Sequence, residues 1–177
     1  MTQATNHSLQ SFGFMTVVEL PSLGHCGGLL VVSRIGRPVE FHCTAPVATN
    51  RAQQIMYGET YSGFLFSDQI GMALIDKMRE RPSVFITDRA EMLPLTELID
   101  NPLVFAEPVD SKTEFDGSGL ECFDLSGQSV FCVNHRGIQA TEISQGVQEF
   151  ASRLPLDEPF ERIRQAIEEA HSVLRAA

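Results

Sequence analysis

Three apolar, β-branched runs follow one another within the first 45 residues, and their spacing limits the fold more than any other feature. They are "GFMTVVEL" from Gly13, "GGLLVVSR" from Gly27 and "RPVEFHCT" from Arg37. Strands joined by turn-sized connections have no room for a crossover, so these three are expected to pair antiparallel as a meander. Ile35 resists the positive φ of a tight two-residue loop, whereas Gly36 accepts a left-handed conformation after a type I turn. The second connection is therefore expected to be a bulged hairpin.

Downstream the period changes. Thr49 or Asn50 is placed to cap a short helix that Gly58 ends. "ETYSGFLF" gives no assignable element, and Ser67 is expected to cap a further helix in which Ile70, Leu74 and Met78 recur at steps of four before Pro82. "SVFIT" (83–87) and "PLVFA" (102–106) read as buried strands, and the segment between them has helix character. Asp88 and Glu91 have the spacing of a capping box within it. That order makes a parallel βαβ unit. "LECFDL" and "SVFCVNH" flank Ser126–Gln128 as a hairpin, and "RGIQATEISQGVQEF" stays open between loop and helix. Phe160, Ile163, Ile167, Ala170, His171 and Leu174 fall on one stripe of a C-terminal amphipathic helix.

The expected class is α/β (or α+β) with a mixed sheet: an antiparallel meander, helices, a parallel βαβ unit, a hairpin and a closing helix. Residues 1–11 read as a disordered polar tail and 12–177 as a single globular domain. Over Gly13 to Glu107 this element order resembles the ribonuclease H-like fold.

Composition narrows the function. A chain of 177 residues, 43% hydrophobic and 20% charged, buries roughly two thirds of its unfolded surface without disulfide or metal. Its longest strictly aliphatic run is Leu29–Val32, and the N-terminus has neither a basic start nor an apolar stretch. A soluble, cytoplasmic protein with no membrane partner is expected. The formal net charge is −10 with no block of Lys or Arg, which argues against nucleic acid as a partner. The four cysteines, Cys26, Cys43, Cys122 and Cys132, are widely spaced and expected to be reduced thiols. No nucleophile elbow, phosphate-binding loop, dinucleotide fingerprint or zinc-protease motif is present, and no cofactor is expected.

Four sets of residues carry candidate chemistry. His25-Cys26 and His42-Cys43 sit near the two ends of the expected hairpin. Neighbours in a strand face opposite sides, so the four cannot converge on one zinc, and no metal site is expected there. Cys43 is expected in the core beside Leu29, Val31, Val39 and Phe41, with His42 and Glu40 on the other side. Cys26, in a Gly-rich stretch beside His25, is a candidate nucleophile because an imidazolium neighbour lowers a thiol pKa. Cys122 and Cys132 lie symmetrically about Gly127 and are expected to face each other. Asp88 and Glu107 follow the two parallel strands, where ligands gather, and with Glu19 they resemble the acidic cluster of ribonuclease H-like phosphodiesterases. Tyr57, Tyr61, Phe64 and Phe66 offer an apolar patch for a protein partner. The leading expectation is a non-catalytic protein-interaction or self-association module. The alternatives are a divalent-metal-dependent phosphoester hydrolase of ribonuclease H-like topology and a thiol enzyme using Cys26.

Overall fold

Strand β2 (Gly24–Ser33) carries glycines at two successive positions, and each seats a helix on one face of the sheet. A Cβ at Gly27 would run into Ile70 Cγ2, and one at Gly28 into Ile163 Cγ2. Because adjacent strand residues face opposite sides, this pair defines a three-layer arrangement with helices on both faces of one sheet. The computed structural model describes residues 9–110, 115–133 and 140–176. Most of the expected tail lies outside them, while Leu9 is buried and Ser11 opens the first strand.

The sheet has seven strands in the order β3-β2-β1-β4-β5-β7-β6. β1 (Ser11–Leu20), β2 and β3 (Pro38–Cys43) form the antiparallel meander. β4 (Val84–Thr87) lies parallel beside β1, and β5 (Leu103–Ala106) parallel beside β4. The hairpin of β6 (Glu121–Leu125) and β7 (Gln128–Cys132) joins the same sheet through an antiparallel pairing of β7 with β5. β4 and β5 are buried at every residue, as continuous apolar runs must be when helices cover both faces.

On one face α4 (Ala140–Ala151) and α5 (Asp157–Ala176) cover Phe12, Phe14, Leu30, Ile86 and Val104. Phe14 meets the rings of Phe150 and Phe160 at 5.5 and 5.2 Å. On the other face Met15, Val17, Leu29 and Phe85 pack under a nearly unbroken helical run. It consists of α1 (Arg51–Tyr57), a 3₁₀ turn (Gly58–Thr60), α2 (Tyr61–Gly63), a π-helical stretch (Phe64–Gly71) and α3 (Met72–Lys77). Asn50 caps α1 by accepting from Gln53 N at 3.2 Å, and Gly58 ends it at φ 55°. Among the described residues, no helix is long and apolar enough to cross a membrane.

Several expectations change. The segment with no assignable element is helical, and Ser67 caps nothing: it is buried within the run and donates to Glu91 O at 3.2 Å. The link from β4 to β5 is a 3₁₀ helix (Ala90–Glu97) containing Pro94, whose missing N–H disfavours an α-helix. Gly36 takes φ 77° and the hairpin is bulged, but the register shift between Val31 and Val32 sets Glu40 opposite Val31 and Phe41 opposite Leu30. Val39 and Phe41 are consequently exposed on the edge strand, and Cys43 packs against the core without them. Cys122 pairs with Phe131, not Cys132, because the hairpin register sets Cys132 opposite Glu121. From Ala140 the open segment after β7 is helical, as α4, its first residues lying outside the described ones, and Ala170 lies off the buried stripe of α5.

Candidate functional site at the carboxyl end of β4

Thr87, the last residue of β4, is paired in register with Met15 on β1 and Phe105 on β5. The chain leaves the sheet there, and Asp88 turns under α5. It is only 7% exposed. Its Oδ2 accepts an ion-pairing hydrogen bond from Arg164 Nη2 on α5, and Arg164 Nη1 also donates to Glu161 Oε1 at 2.6 Å. Asp88 and Thr16 are buried neighbours whose Oδ1 and Oγ1 fall short of full hydrogen-bond geometry, with the hydroxyl close enough to favour the ionised carboxylate, and Arg89 Nε is likewise buried without a partner among the described residues. Thr16 follows Met15 on β1, so all three unmatched atoms belong to residues at or beside one strand end. Each such buried group costs about 1–3 kcal/mol if nothing fills it. Burial is the strongest influence on the Asp88 carboxyl and pushes it above its ordinary value; the neighbouring Thr16 hydroxyl and the Arg164 and Arg89 guanidiniums pull the other way.

The capping role expected of Asp88 is overturned. Arg89 stands before the 3₁₀ helix, no side chain caps it, and the Arg89 N–H is met instead by Thr87 Oγ1 at 3.1 Å. Arg89 Nη2 donates to Val17 O at 2.7 Å, tying the strand end back to β1.

The other two acids do not join Asp88. Glu19 lies opposite His25 near the far end of β1 and lines a hollow of about 380 Å³ with Glu168 and His171. Glu107 is fixed through its backbone: its N–H donates to Ser129 O at 3.0 Å, and its carbonyl accepts from Gln128 Nε2 at 2.8 Å. Among the described residues no three His, Cys, Asp or Glu side chains form a group able to hold a metal. A divalent cation of this class takes several oxygen ligands. Beside Asp88 the structure supplies an alcohol from Thr16 and two guanidiniums, so the residues do not fit such an ion.

The thiol candidate is also displaced. Cys26 lies in β2 at 0% exposure, its Sγ donates to Thr44 O at 3.1 Å, and burial pushes the thiol up, the opposite of activation. The two His-Cys pairs part as strand geometry requires: His25 packs its ring on Phe66, while His42 Nε2 lies 2.6 Å from Glu40 Oε1. Of the aromatic set, Tyr61 and Phe66 are buried, Phe64 is half-buried, and Tyr57 is exposed but stacked on Phe64 with centroids 4.0 Å apart. Sequence reasoning missed Thr16, Arg89 and Arg164, which no local motif connects to Asp88.

No family model and no curated protein matches this chain. Its fold does have solved neighbours. Endonuclease V of Ciona intestinalis, in complex with a 24mer DNA containing an inosine followed by a ribo-adenosine, superposes with a TM-score of 0.55 at 11% identity, covering 92% of this chain and 87% of that one. A variant of the same protein with a 23mer DNA gives 0.55 at 10% identity, over 92% and 87%. The catalytic domain of human Endonuclease V gives 0.51 at 16% identity, over 97% and 89%. Two expectations are corrected by this likeness. A non-catalytic protein-interaction module does not stand beside a fold shared with nucleases over nearly its whole length. The argument against nucleic acid does not stand beside neighbours solved with DNA, because net charge is a sum and says nothing about where the charges lie. The chain has the mixed-sheet α/β architecture of the ribonuclease H-like fold.

Proposed function

We propose that this chain is a nucleic-acid-processing hydrolase that acts on a phosphoester at the carboxyl end of β4, as one domain over residues 12–177 and in the cytoplasm. The observation that carries the reading is Asp88, a carboxyl buried under α5 with one oxygen on Arg164, the other unmatched, and no capping duty to explain it. Its position suits the chemistry, since ligands of open α/β sheets gather beyond the carboxyl ends of parallel strands. The likeness to Endonuclease V, solved with DNA, supports phosphoester-bearing nucleic acid as the substrate class.

The residues divide the work by their charge. An acid whose pKa is raised toward the working pH serves as a general acid or base. Arg164, 29% exposed along its side chain, connects the buried carboxyl to solvent, and its five donors let it hold a phosphate oxygen as well as a carboxylate. Arg89 adds a second guanidinium against developing negative charge. No step is routed through a divalent cation, because the side chains around Asp88 do not fit one.

The test is cleavage of end-labelled DNA and RNA oligonucleotides, single- and double-stranded, with and without inosine, in EDTA and in Mg²⁺ or Mn²⁺. Cleavage that persists in EDTA and disappears in Asp88→Asn is the expected result. Absence of cleavage under every condition overturns the reading, and cleavage that requires the metal overturns its metal-free form.

A further inference from the structure

The opposite end of the sheet brings together four arginines from separate parts of the chain. At the start of β4, Ser83 N donates to Ser11 O at 3.0 Å and Ser83 Oγ accepts from Gln10 N at 3.1 Å. Ser11 lies opposite Ser33 at the end of β2, and Ser33 N donates to Arg37 O at 2.9 Å. These links bring Arg81, Arg34 and Arg37 to one end of the sheet. Arg153, in the turn after α4, shares a shallow hollow with Arg34, Leu9 and Phe12. Arg37, Arg81 and Arg153 are exposed, and among the described residues none of them makes an ion pair. Arg34 meets Glu149 at 3.7 Å, with both side chains well exposed at 42% and 63%.

Three of these guanidiniums, those of Arg37, Arg81 and Arg153, make no ion pair among the described residues, in a chain with 23 Asp and Glu against 13 Lys and Arg, and only Arg34 has its charge met, by Glu149. Such a patch raises the local concentration of anions and speeds their encounter with the protein. We propose that this end of the sheet is a contact surface for the phosphate backbone of a nucleic acid. The proposal rests on the hydrolase reading for the identity of the polyanion. Five residues of β1 separate Ser11 from Thr16, about 17 Å at roughly 3.3 Å per residue. That is about five nucleotide steps of a duplex axis at roughly 3.4 Å each, so one oligonucleotide of ordinary length spans the distance from this surface to the level of Asp88. Guanidinium forks suit phosphate oxygens, which they hold through paired hydrogen bonds.

The experiment is fluorescence anisotropy of a labelled single-stranded DNA of about 20 nucleotides against the full chain, repeated over a range of salt concentrations. The double variant Arg37→Glu/Arg153→Glu is compared with wild type and with Arg51→Glu, a change of the same sign on α1. The expected result is binding at least about tenfold weaker in the double variant, with a salt slope shallower by about 1.4, or about 0.7 for each lost phosphate contact. Arg51→Glu should bind within about twofold of wild type. Both altered arginines are exposed, and an unchanged melting temperature shows that the fold is intact. Equal loss in Arg51→Glu, no loss in the double variant, or no binding by wild type overturns the surface. If cleavage is lost in Asp88→Asn while the double variant binds normally, the surface falls and the hydrolase reading stands. If the double variant loses binding while wild type cleaves nothing, the hydrolase reading falls and the surface stands.

Discussion

Glu40 and Asp88 each tie a strand to a distant segment, but Glu40 does so at the sheet edge with its contacts made, and Asp88 does so under a helix with one oxygen left over. Glu40, on edge strand β3, accepts the backbone N–H of Glu80 at 2.8 Å and of Arg79 at 3.0 Å, with His42 Nε2 2.6 Å away. The Glu80 N–H first, then His42, hold its carboxyl down at about 2 from an ordinary 4.5. At Asp88 burial dominates and pushes the carboxyl up, even with Arg164 beside it. A carboxylate whose lone pairs are filled is committed to architecture: Glu40 fastens the sheet edge to the segment after α3. One whose surroundings oppose ionisation while an oxygen stays unmatched keeps capacity for a ligand, which is where perturbed acids concentrate.

The sharpest way to break this comparison is to remove the partner of each acid. Arg164→Leu strips Asp88 of its nearest positive charge while keeping much of the α5 side-chain bulk. Taking one member from a buried ion pair costs about 3–5 kcal/mol, and the partial exposure of Arg164 points to the lower end, about 3 kcal/mol in urea unfolding at neutral pH. A loss under about 1 kcal/mol would mean that the pair behaves like an exposed one. Gly28→Ala comes next. Its new methyl group meets Ile163 on α5, one residue from Arg164, and overpacking of this kind costs about 1–3 kcal/mol. It should also shift α5 away from Asp88 while leaving the Glu40 contacts untouched, a difference that amide hydrogen exchange at Arg79 and Glu80 against that in α5 reads directly.

What the sequence made legible was local. The bulged hairpin followed from Ile35 and Gly36, the first helix from Asn50 and Gly58, and the parallel pair from the apolar runs at 83–87 and 102–106. What it hid depends on partners far along the chain. The packing role of Gly27 and Gly28 was hidden, because the helices they seat lie more than 40 and 130 residues further on. Asp88 and Glu91 have the spacing of a capping box, yet Asp88 turns away from that helix to Arg164, 76 residues downstream. Val39 and Phe41 look like core by alternation and are exposed because β3 is an edge with one neighbour and a slipped register. The net charge concealed the collected arginines at the amino end of β4 for the same reason: a sum over the sequence carries no position.

The smaller effects separate the two carboxylates by the sign of their pH dependence. Asp88→Asn keeps the shape and removes the charge, so at neutral pH its effect on stability should stay within about 1 kcal/mol. Because the folded-state pKa of Asp88 is raised, the folded chain binds more protons than the unfolded one above the ordinary carboxyl value. Stability contributed there is present at low pH and declines as pH rises through the raised value, and the Asn variant should flatten that decline. Glu40 runs the other way. Its folded pKa is depressed, so its contribution is present above about 4.5 and is lost as pH falls toward about 2. Glu40→Gln, which keeps the shape and an oxygen to accept the Glu80 and Arg79 N–H groups, should lower the melting temperature slightly at neutral pH and remove part of the acid-side loss between those two values. A melting series across the acid range on both variants decides the comparison: slopes altered in opposite directions support an architectural Glu40 and a poised Asp88, and slopes altered in the same direction would make the two carboxylates equivalent.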